Sequence, residues 1–247
     1  MSSSKLLSQA TEAFWQNKRS ILLFSIPFLL AFPLVLLLPN YAAFGAIFLR
    51  PGSIGSDVAL PQLLLMLAVA VLSLLLFSFA VVAVNSIVKS QRTFNRLKHM
   101  DFERMETATL RMFVVYAVSF ISVFAFSLLL FQTHAVEEKT RLALTALFSL
   151  AVYLLTLFAP QAVVIDNLGA DSALSVSAKT VFAKFSSVIF FALVALVLAT
   201  VNAAIFLFLQ DYFFWAPLLG VLANSLFILP FLEVFKVQIY LSKYSLL

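Results

Sequence analysis

The 247-residue chain is 63% hydrophobic and only 11% charged, and it carries a net charge of +5. Soluble domains contain about one quarter charged residues, so this composition excludes an ordinary soluble protein and indicates an integral membrane protein. Cysteine is absent, which excludes a disulfide framework, a thiolate metal site and a cysteine nucleophile.

The chain begins with a polar segment, MSSSKLLSQATEAFWQNKR, that lacks the order of a cleaved signal peptide. We therefore expect the N-terminus to be retained. Apolar residues recur in this segment at helical spacing and include Phe14 and Trp15. This spacing predicts an amphipathic helix over about residues 4–18 that lies along the membrane interface.

Six apolar blocks follow, each long enough to cross a hydrocarbon core about 30 Å thick at about 1.5 Å per residue. The predicted spans are approximately residues 20–38, 60–88, 112–131, 142–165, 187–209 and 214–241. Few glycines and no alternating polar and apolar pattern favour helices over barrel strands. The expected fold is all-α, with residues 1–247 forming one transmembrane domain of six helices.

Two further polar segments separate pairs of spans. Residues 90–111, SQRTFNRLKHMDFERMETATLR, are rich in charge, which predicts a cytoplasmic segment. Residues 171–185 carry small and apolar side chains at i, i+3 and i+4 spacing, including Leu174, Val181 and Phe182. This second pattern predicts another interfacial helix.

The polar segments recur in a regular way, because each one introduces a pair of predicted spans. This order predicts three hairpins, each preceded by a cytoplasmic amphipathic or polar segment. Residues 10–21 and 178–189 also match at Ala, Phe and Ile positions, which is a pattern typical of internal repeats. Repeats of this kind occur in transporters, where sites lie at repeat interfaces, and also in proteins that transport nothing.

The basic residues predict the orientation. All but three of the 16 lysines and arginines fall on the side that holds both termini, the exceptions being Arg50, Lys139 and Arg141. Under the positive-inside rule, both termini are cytoplasmic, in an inner membrane. The bases flank the spans and are not gathered on one soluble face, so we expect membrane lipids and other membrane protein subunits as partners, and no nucleic acid.

Asparagines lie inside or near the predicted spans at Asn85, Asn202 and Asn224. An asparagine in a span can form a hydrogen bond to a neighbouring helix, so helix packing accounts for each of them. Polar residues in hydrocarbon are also typical of substrate paths. Both interpretations remain open at this point.

Glu233 lies three residues after Pro230 and three before Lys236. The spacing places Glu233 and Lys236 on one helix face, and the proline predicts a kink in the sixth helix. One interpretation is an ion pair near the cytoplasmic end, with Lys236 extended towards the headgroups. The other is a polar point on a substrate path.

The stretch VVIDNLGAD closes the fourth span. Asp166 and Asn167 end the span, and Gly169 is placed to terminate the helix. Asp171, or the serine after it, is placed to cap the next helix. These roles explain the residues without a ligand, and a cytoplasmic cation or partner site on the two aspartates is the alternative.

No catalytic constellation is apparent. His99 and His134 fall on opposite sides of the membrane in the predicted orientation, and the sequence shows no paired-histidine helix, phosphate loop or nucleophile elbow. We therefore expect no catalytic residues, no metal site and no cofactor. The 28 phenylalanines are spread through every span and are explained by packing and lipid contact.

Two stretches resemble a known group. LFAPQAVVIDNLGADSALSVSAKTVFAKFSSVIFF and PFLEVFKVQIYLSKY are similar to parts of six-span membrane proteins related to the membrane domain found beside some glycerophosphodiester phosphodiesterases. The shared features are a proline near the end of span four, an acidic turn with glycine, an alanine-rich amphipathic helix, and a last span with a proline and a late tyrosine. The resemblance implies the six-span plan and not hydrolysis, because the catalytic domain is missing.

The sequence thus leads to two functional hypotheses. The first is a non-enzymatic membrane protein that organises lipids or serves as an accessory subunit of a membrane complex. The second is a transporter or permease for a lipid or another amphiphilic small molecule. An intramembrane enzyme is disfavoured, because few polar residues lie within the spans.

Overall fold

The computed structural model of the chain describes residues 3–36, 42–43, 46–47, 60–92, 102–132 and 137–244. In chain order, its helices are α1 (Ser3–Gln16), α2 (Lys18–Leu36), α3 (Leu60–Arg92), α4 (Phe102–Gln132), α5 (Glu138–Thr156), α6 (Ala159–Ile165), α7 (Ala170–Ala183), α8 (Phe185–Leu209), α9 (Ala216–Ala223) and α10 (Leu229–Leu241). A π-helical segment (Asn224–Ile228) joins α9 to α10. Two short antiparallel strands, β1 (Ala42–Ala43) and β2 (Ala46–Ile47), pair with each other.

The all-α prediction is confirmed. Five helical stretches among the described residues are long and apolar enough to cross a membrane, one fewer than the six predicted. They are Leu67–Ser90, Arg104–Leu130, Lys139–Ile165, Phe185–Leu209 and Ala216–Leu241. A membrane protein is therefore indicated by the structure as well as by composition.

The predicted span that is missing from these five is the first one, residues 20–38. The corresponding helix, α2, is described from Lys18 to Leu36. Residues 37 and 38 of this prediction lie outside the described part of the chain, as do residues 93–101 of the predicted cytoplasmic segment. The described ends of that segment are helical, since α3 continues to Arg92 and α4 starts at Phe102.

The N-terminal helix α1 packs along α10. Leu6, Ala10 and Phe14 are buried on one face, and the Phe14 ring meets the Phe231 ring edge-on at 5.9 Å between centroids. Trp15, on the other face, is 60% exposed, and the Lys18 ammonium lies 5.1 Å from its ring. The helix therefore has an apolar face against the protein and an aromatic residue directed away from it.

Helix α3 is the centre of the bundle. It contacts α2, α4, α6 and α10, and every residue from Ala80 to Asn85 is buried. Small and β-branched side chains (AVVAVN) let the neighbouring helices approach closely, as is common where membrane helices pack. Polar groups carried by this part of α3 are consequently held away from lipid and water.

The fourth predicted span is interrupted just before Pro160, between α5 and α6. Proline has no N–H group, and its ring crowds the carbonyl one turn earlier, so the helix cannot continue regularly through it. The backbone N–H of Phe158, freed by the interruption, donates a hydrogen bond of 2.9 Å to the Ser177 hydroxyl of α7. Helix α7 thus supplies from outside the bond that the interrupted helix lacks.

The last predicted span is interrupted as well, by the π segment that precedes Pro230. The N–H of Leu229 donates to the carbonyl of Asn224, five residues earlier, which widens the helix by one residue. Pro230 then falls in the first turn of α10, where a missing N–H costs nothing. The break before Pro160 and the π segment before Pro230 therefore make these two spans irregular, although the last one stays helical throughout.

Helices α8 and α9 approach each other closely at Gly220. A Cβ atom at this position would lie 3.2 Å from the side chain of Phe206, which is tighter than ordinary contact. The Asn202 side chain on α8 donates a hydrogen bond of 3.2 Å to the Gly220 carbonyl. Away from this contact, α8 exposes many large apolar side chains, as expected for a helix that faces lipid.

Candidate functional site

Four polar side chains meet in the interior and are called here the central polar cluster: Asn85, Gln161, Glu233 and Lys236. They come from α3, α6 and α10, and each residue is buried. The side chains of Glu233 and Lys236 are only 10% and 8% exposed. Ionisable groups this deeply buried inside a membrane protein are rare and are typical of functional sites.

Direct contacts connect the cluster. The Lys236 ammonium lies 2.6 Å from Oε1 of Glu233, as an i, i+3 pair on α10. The Asn85 side-chain amide donates to Oε2 of Glu233 at 3.3 Å and to the Val81 carbonyl at 2.7 Å. The Gln161 amide donates to Oδ1 of Asn85 at 2.9 Å. The polar chain therefore runs from α6 through α3 to α10.

The interruptions of the two spans place this cluster. Gln161 directly follows Pro160, so it lies in the first turn of α6, and Glu233 lies three residues after Pro230. Among the described residues, Oε1 of Gln161 and the Ser225 hydroxyl of the π segment are buried without a hydrogen-bond partner. Each of these two irregular spans thus brings one polar group without a hydrogen-bond partner into the interior.

The position of Lys236 corrects one interpretation made from the sequence. Lys236 does not extend towards headgroups, because it is buried and paired with Glu233 inside the bundle. Either charge alone in the interior would strongly destabilise the protein. The hydrogen-bonded pair has little net effect on the free energy of unfolding. The site therefore carries one positive and one negative side chain. Separated from each other, the two could each bind a polar group of a ligand.

The other two candidate asparagines lie elsewhere. Asn202 is bonded to Gly220 between α8 and α9, which is a packing contact. Asn224 is half-buried at the start of the π segment, where its backbone carbonyl accepts the hydrogen bond from Leu229. The structure therefore brings Asn85, Glu233 and Lys236 together, and it adds Gln161.

A second polar group, called here the Asp166 clasp, joins the end of α6 to the end of α10. The Tyr240 and Lys243 side chains bond to Oδ2 of Asp166 at 2.6 Å and 3.0 Å. The Tyr244 hydroxyl donates to Oδ1 at 2.7 Å. The Lys243 ammonium also lies 3.6 Å from the centroid of the Tyr240 ring and 4.7 Å from that of Tyr244.

Electrostatics favour the ionised form of Asp166. Burial raises the pKa of this carboxyl, but the hydrogen bonds from Tyr240, Tyr244 and Lys243, together with the lysine charge, outweigh it and lower the pKa below its ordinary value. For Tyr244, burial and the hydrogen bond to Asp166 raise the pKa to about 12. The carboxylate is therefore charged and the phenol neutral across the physiological range.

No protein-family model, curated protein or solved structure matches this chain. Function is therefore inferred from the chemistry of the sites themselves. Among the described residues, no group of three or more histidine, aspartate or glutamate side chains could hold a metal ion.

Basic side chains from two other helices bind backbone carbonyls at the end of α6. The Lys89 ammonium donates to the Val164 carbonyl at 2.6 Å. The Arg111 guanidinium donates to the carbonyls of Asn167 and Leu168, both at 3.3 Å. Cations at a helix C-terminus compensate its partial negative charge and its unpaired carbonyls.

The predicted roles of Gly169 and Asp171 are wrong in detail. The helix ends through Asn167, whose φ of 53° lies in the left-handed region, while Gly169 has an extended backbone with φ −68° and serves as the N-cap of α7. Asp171 lies in the first turn of α7, where it complements the helix dipole without capping the helix by a side-chain bond. Asparagine tolerates the left-handed conformation because its short side chain bonds locally.

We expect Asn167→Ala to lower the free energy of unfolding by about 1 kcal/mol, because alanine is strained at φ 53°. It also removes the bond of 3.2 Å between Oδ1 and Arg111. Asn167→Gly should cost less, since glycine accepts this conformation. Thermal unfolding in detergent measures both variants, and equal losses for the two would contradict the backbone explanation.

The candidate interfacial residues divide by face. Phe14 and Val181 are buried against the bundle, and Leu174 is half-buried. Trp15 and Phe182 point outward, the latter with 74% of its surface exposed. One side of each helix therefore holds it on the protein, and the other presents an aromatic ring outward.

Sequence reasoning missed Gln161 and the three partners of Asp166. A glutamine directly after a proline within an apolar span was a usable signal, since a polar residue in a span is rarely neutral to function. Tyr240, Lys243 and Tyr244 gave no comparable signal. Tyr240 lies 74 residues from Asp166 in the sequence, so only the tertiary fold brings them together.

Proposed function

We propose that this chain is an integral membrane permease for a lipid or a lipid-like amphiphile, and that the central polar cluster holds the polar part of the substrate. The observation that carries the proposal is the buried Glu233–Lys236 pair, which lies where a span broken before Pro160 meets a span distorted by a π segment. Transporter folds commonly place substrate sites at irregular or broken parts of their spanning helices.

The composition of the cluster supports a substrate with both polar and apolar parts. Glu233 offers a negatively charged hydrogen-bond acceptor, and Lys236 offers a positively charged donor. The buried Oε1 of Gln161 is a further acceptor, without a hydrogen-bond partner among the described residues. The surrounding residues of α3 are apolar, from Ala80 to Val84. A substrate with a small polar group on an apolar body matches both parts of this environment.

The interruptions supply the means of opening the site. A continuous helix resists bending, whereas the π segment and the break before Pro160 leave backbone positions that can absorb a change in angle. In the structure described here the pair is shielded from solvent, with both side chains at 10% exposure or less. This is the closed form of the proposed alternating cycle.

The proposal is tested with purified protein in vesicles that contain either phosphatidylglycerol or phosphatidylcholine labelled on its acyl chain with a fluorophore. Dithionite, which bleaches the outer leaflet, measures translocation. We expect the wild type to increase translocation at least about tenfold over protein-free vesicles. The double variant Glu233→Gln/Lys236→Met keeps the volume of both side chains but removes both charges, so translocation should return to the protein-free rate.

A matched control carries the same two substitutions at exposed positions. Glu12→Gln on α1 and Lys179→Met on α7 change the same charges outside the bundle and should leave translocation unchanged. Wild-type translocation equal to that of protein-free vesicles would overturn the proposal. So would a folded double variant that is as active as the wild type.

The alternative is a lipid-organising protein or an accessory subunit of a membrane complex. It is favoured by the outward aromatic residues of the two amphipathic helices, Trp15 on α1 and Phe182 on α7. Tryptophan and phenylalanine on one face of an amphipathic helix are typical of helices that lie in the membrane interface. Retention of native lipid or protein through purification, without translocation in the vesicle assay, would favour this alternative.

The proposal extends to features beyond the five described spans. It takes α2 as a sixth span, groups the spans as three hairpins, and places both termini at the cytoplasmic surface of an inner membrane. The bias of lysine and arginine supports the orientation, and the contacts of α2 with α3, of α4 with α5 and of α8 with α9 support the pairing. The resemblance to the membrane domain beside glycerophosphodiester phosphodiesterases agrees with this plan.

A further inference from the structure

The Asp166 clasp has the chemistry of an ammonium-binding site that the chain fills with its own lysine. The Lys243 ammonium lies over the rings of Tyr240 and Tyr244, at 3.6 Å and 4.7 Å from their centroids, and 3.0 Å from Oδ2 of Asp166. Two aromatic faces and one carboxylate are the elements by which proteins recognise organic cations.

The site is built independently of the lysine that occupies it. Both tyrosine hydroxyls donate to the Asp166 carboxylate, at 2.6 Å and 2.7 Å, and these bonds orient the rings. Tyr240 is fully buried, so its ring is held in place by packing as well. Removal of the lysine would leave an oriented pair of rings beside an ionised carboxylate without its cation.

The position of the clasp matches that of a lipid headgroup. Asp166 directly follows the third candidate span, which ends at Ile165, and Lys243 follows the fifth, which ends at Leu241, by two residues. The side chains of Lys243 and Asp166 are 25% and 19% exposed, so the site is partly open at the surface. An ammonium group carried by a phospholipid would therefore meet the site at the end of the hydrocarbon region.

We infer that the Asp166 clasp binds the ammonium headgroup of a phospholipid in competition with Lys243, which acts as a built-in competitor. The lysine is tethered to the site and so has a high effective concentration, which a headgroup must overcome. Displacement removes the ion pair between Lys243 and Asp166, while the two tyrosine bonds to the carboxylate remain. The inference concerns the membrane surface and does not depend on transport through the central polar cluster.

The inference is tested with full-length protein in nanodiscs that contain equal parts of phosphatidylethanolamine, phosphatidylcholine and phosphatidylglycerol. Lipids retained after mild delipidation are counted by native mass spectrometry for the wild type, Lys243→Met and Lys243→Met/Asp166→Asn. We expect Lys243→Met to retain ammonium lipids about fivefold over phosphatidylglycerol, the preference that a partly exposed cation–π contact supports. The double variant should show no preference.

Soluble amines separate a headgroup from a free cation. If the site binds free cations, ethylammonium or choline at millimolar concentration should raise the unfolding temperature of Lys243→Met. If it binds a lipid headgroup, the amines should leave that temperature unchanged while the variant still retains ammonium lipids. Lys179→Met, which removes an exposed lysine of α7, controls for the loss of charge. Equal retention of all three lipids by Lys243→Met, or a preference that survives Asp166→Asn, would overturn the inference.

Discussion

Removing one member of the Glu233–Lys236 pair is expected to destabilise the protein by about 3 kcal/mol or more. In Glu233→Gln the lysine keeps its charge but loses the carboxylate 2.6 Å away, and in Lys236→Met the glutamate keeps its charge but loses the ammonium. Both side chains are at most 10% exposed, so water cannot take the place of the lost partner. Each single variant therefore leaves an uncompensated charge in a medium of low polarity.

The double variant Glu233→Gln/Lys236→Met should be far more stable than the sum of the two single losses predicts. It buries no charge, and the glutamine can still accept the hydrogen bond from Asn85 that now reaches Oε2 at 3.3 Å. Replacement of a buried ion pair by neutral side chains of similar volume is often neutral. We therefore expect a coupling free energy of about 2 kcal/mol or more between the two positions.

The double-mutant cycle is measured by reversible unfolding in mixed micelles, with Glu12→Gln and Lys179→Met as exposed controls. The controls should change the free energy of unfolding by less than about 0.5 kcal/mol, as is usual for surface positions. If the loss in the double variant equals the sum of the two single losses, the two charges do not interact in the folded protein. That result would remove the basis for a charged site in the interior.

The extent of the helices was largely readable from local features of the sequence. Hydropathy is a local signal, and the predicted span of residues 187–209 lies within the observed α8 (Phe185–Leu209). The kink expected at Pro230 was also a local inference, and the structure has a π segment directly before it. The break before Pro160 was not predicted, although proline disrupts a helix in the same way at both positions.

The composition of the sites was less readable, because it depends on contacts between distant parts of the chain. Asn85 and Glu233 are 148 residues apart, and only the packing of α3 on α10 makes them partners. The sequence did place Glu233 and Lys236 on one face, since that relation is local. It could not show that the face is buried, which is why one of the two interpretations had Lys236 extend towards the headgroups.

Asp166→Asn is expected to lower the free energy of unfolding by about 2 kcal/mol at neutral pH, because it weakens three charge-assisted contacts at once. The carboxylate accepts hydrogen bonds from Tyr240 and Tyr244 and pairs with Lys243. Tyr240 is fully buried, so its hydroxyl cannot turn to water when its acceptor weakens. The end of α10 should consequently separate from α6 more readily.

The pH dependence of this loss has a definite sign. The pKa of Asp166 is lowered in the folded protein from its ordinary value of 3.8, so its stabilising contribution is fully present above about pH 4. The contribution is lost as the pH falls through the folded pKa. The pKa of Tyr244 is raised from 10.0 to about 12, so its contribution is present below about pH 10 and is lost as the pH rises through 12.

The wild type and Asp166→Asn should therefore differ most between about pH 5 and pH 9 and converge as the solution is acidified below the folded pKa. Unfolding curves in detergent from pH 7 down to pH 3 measure the difference, with Asp171→Asn as the matched control on the exposed first turn of α7. A difference that stays constant over this range would mean that the ionised carboxylate is not what holds the clasp. Both tyrosines of the clasp bond to Asp166 and not to Asp171. Asp171→Asn should therefore change the free energy of unfolding little at every pH.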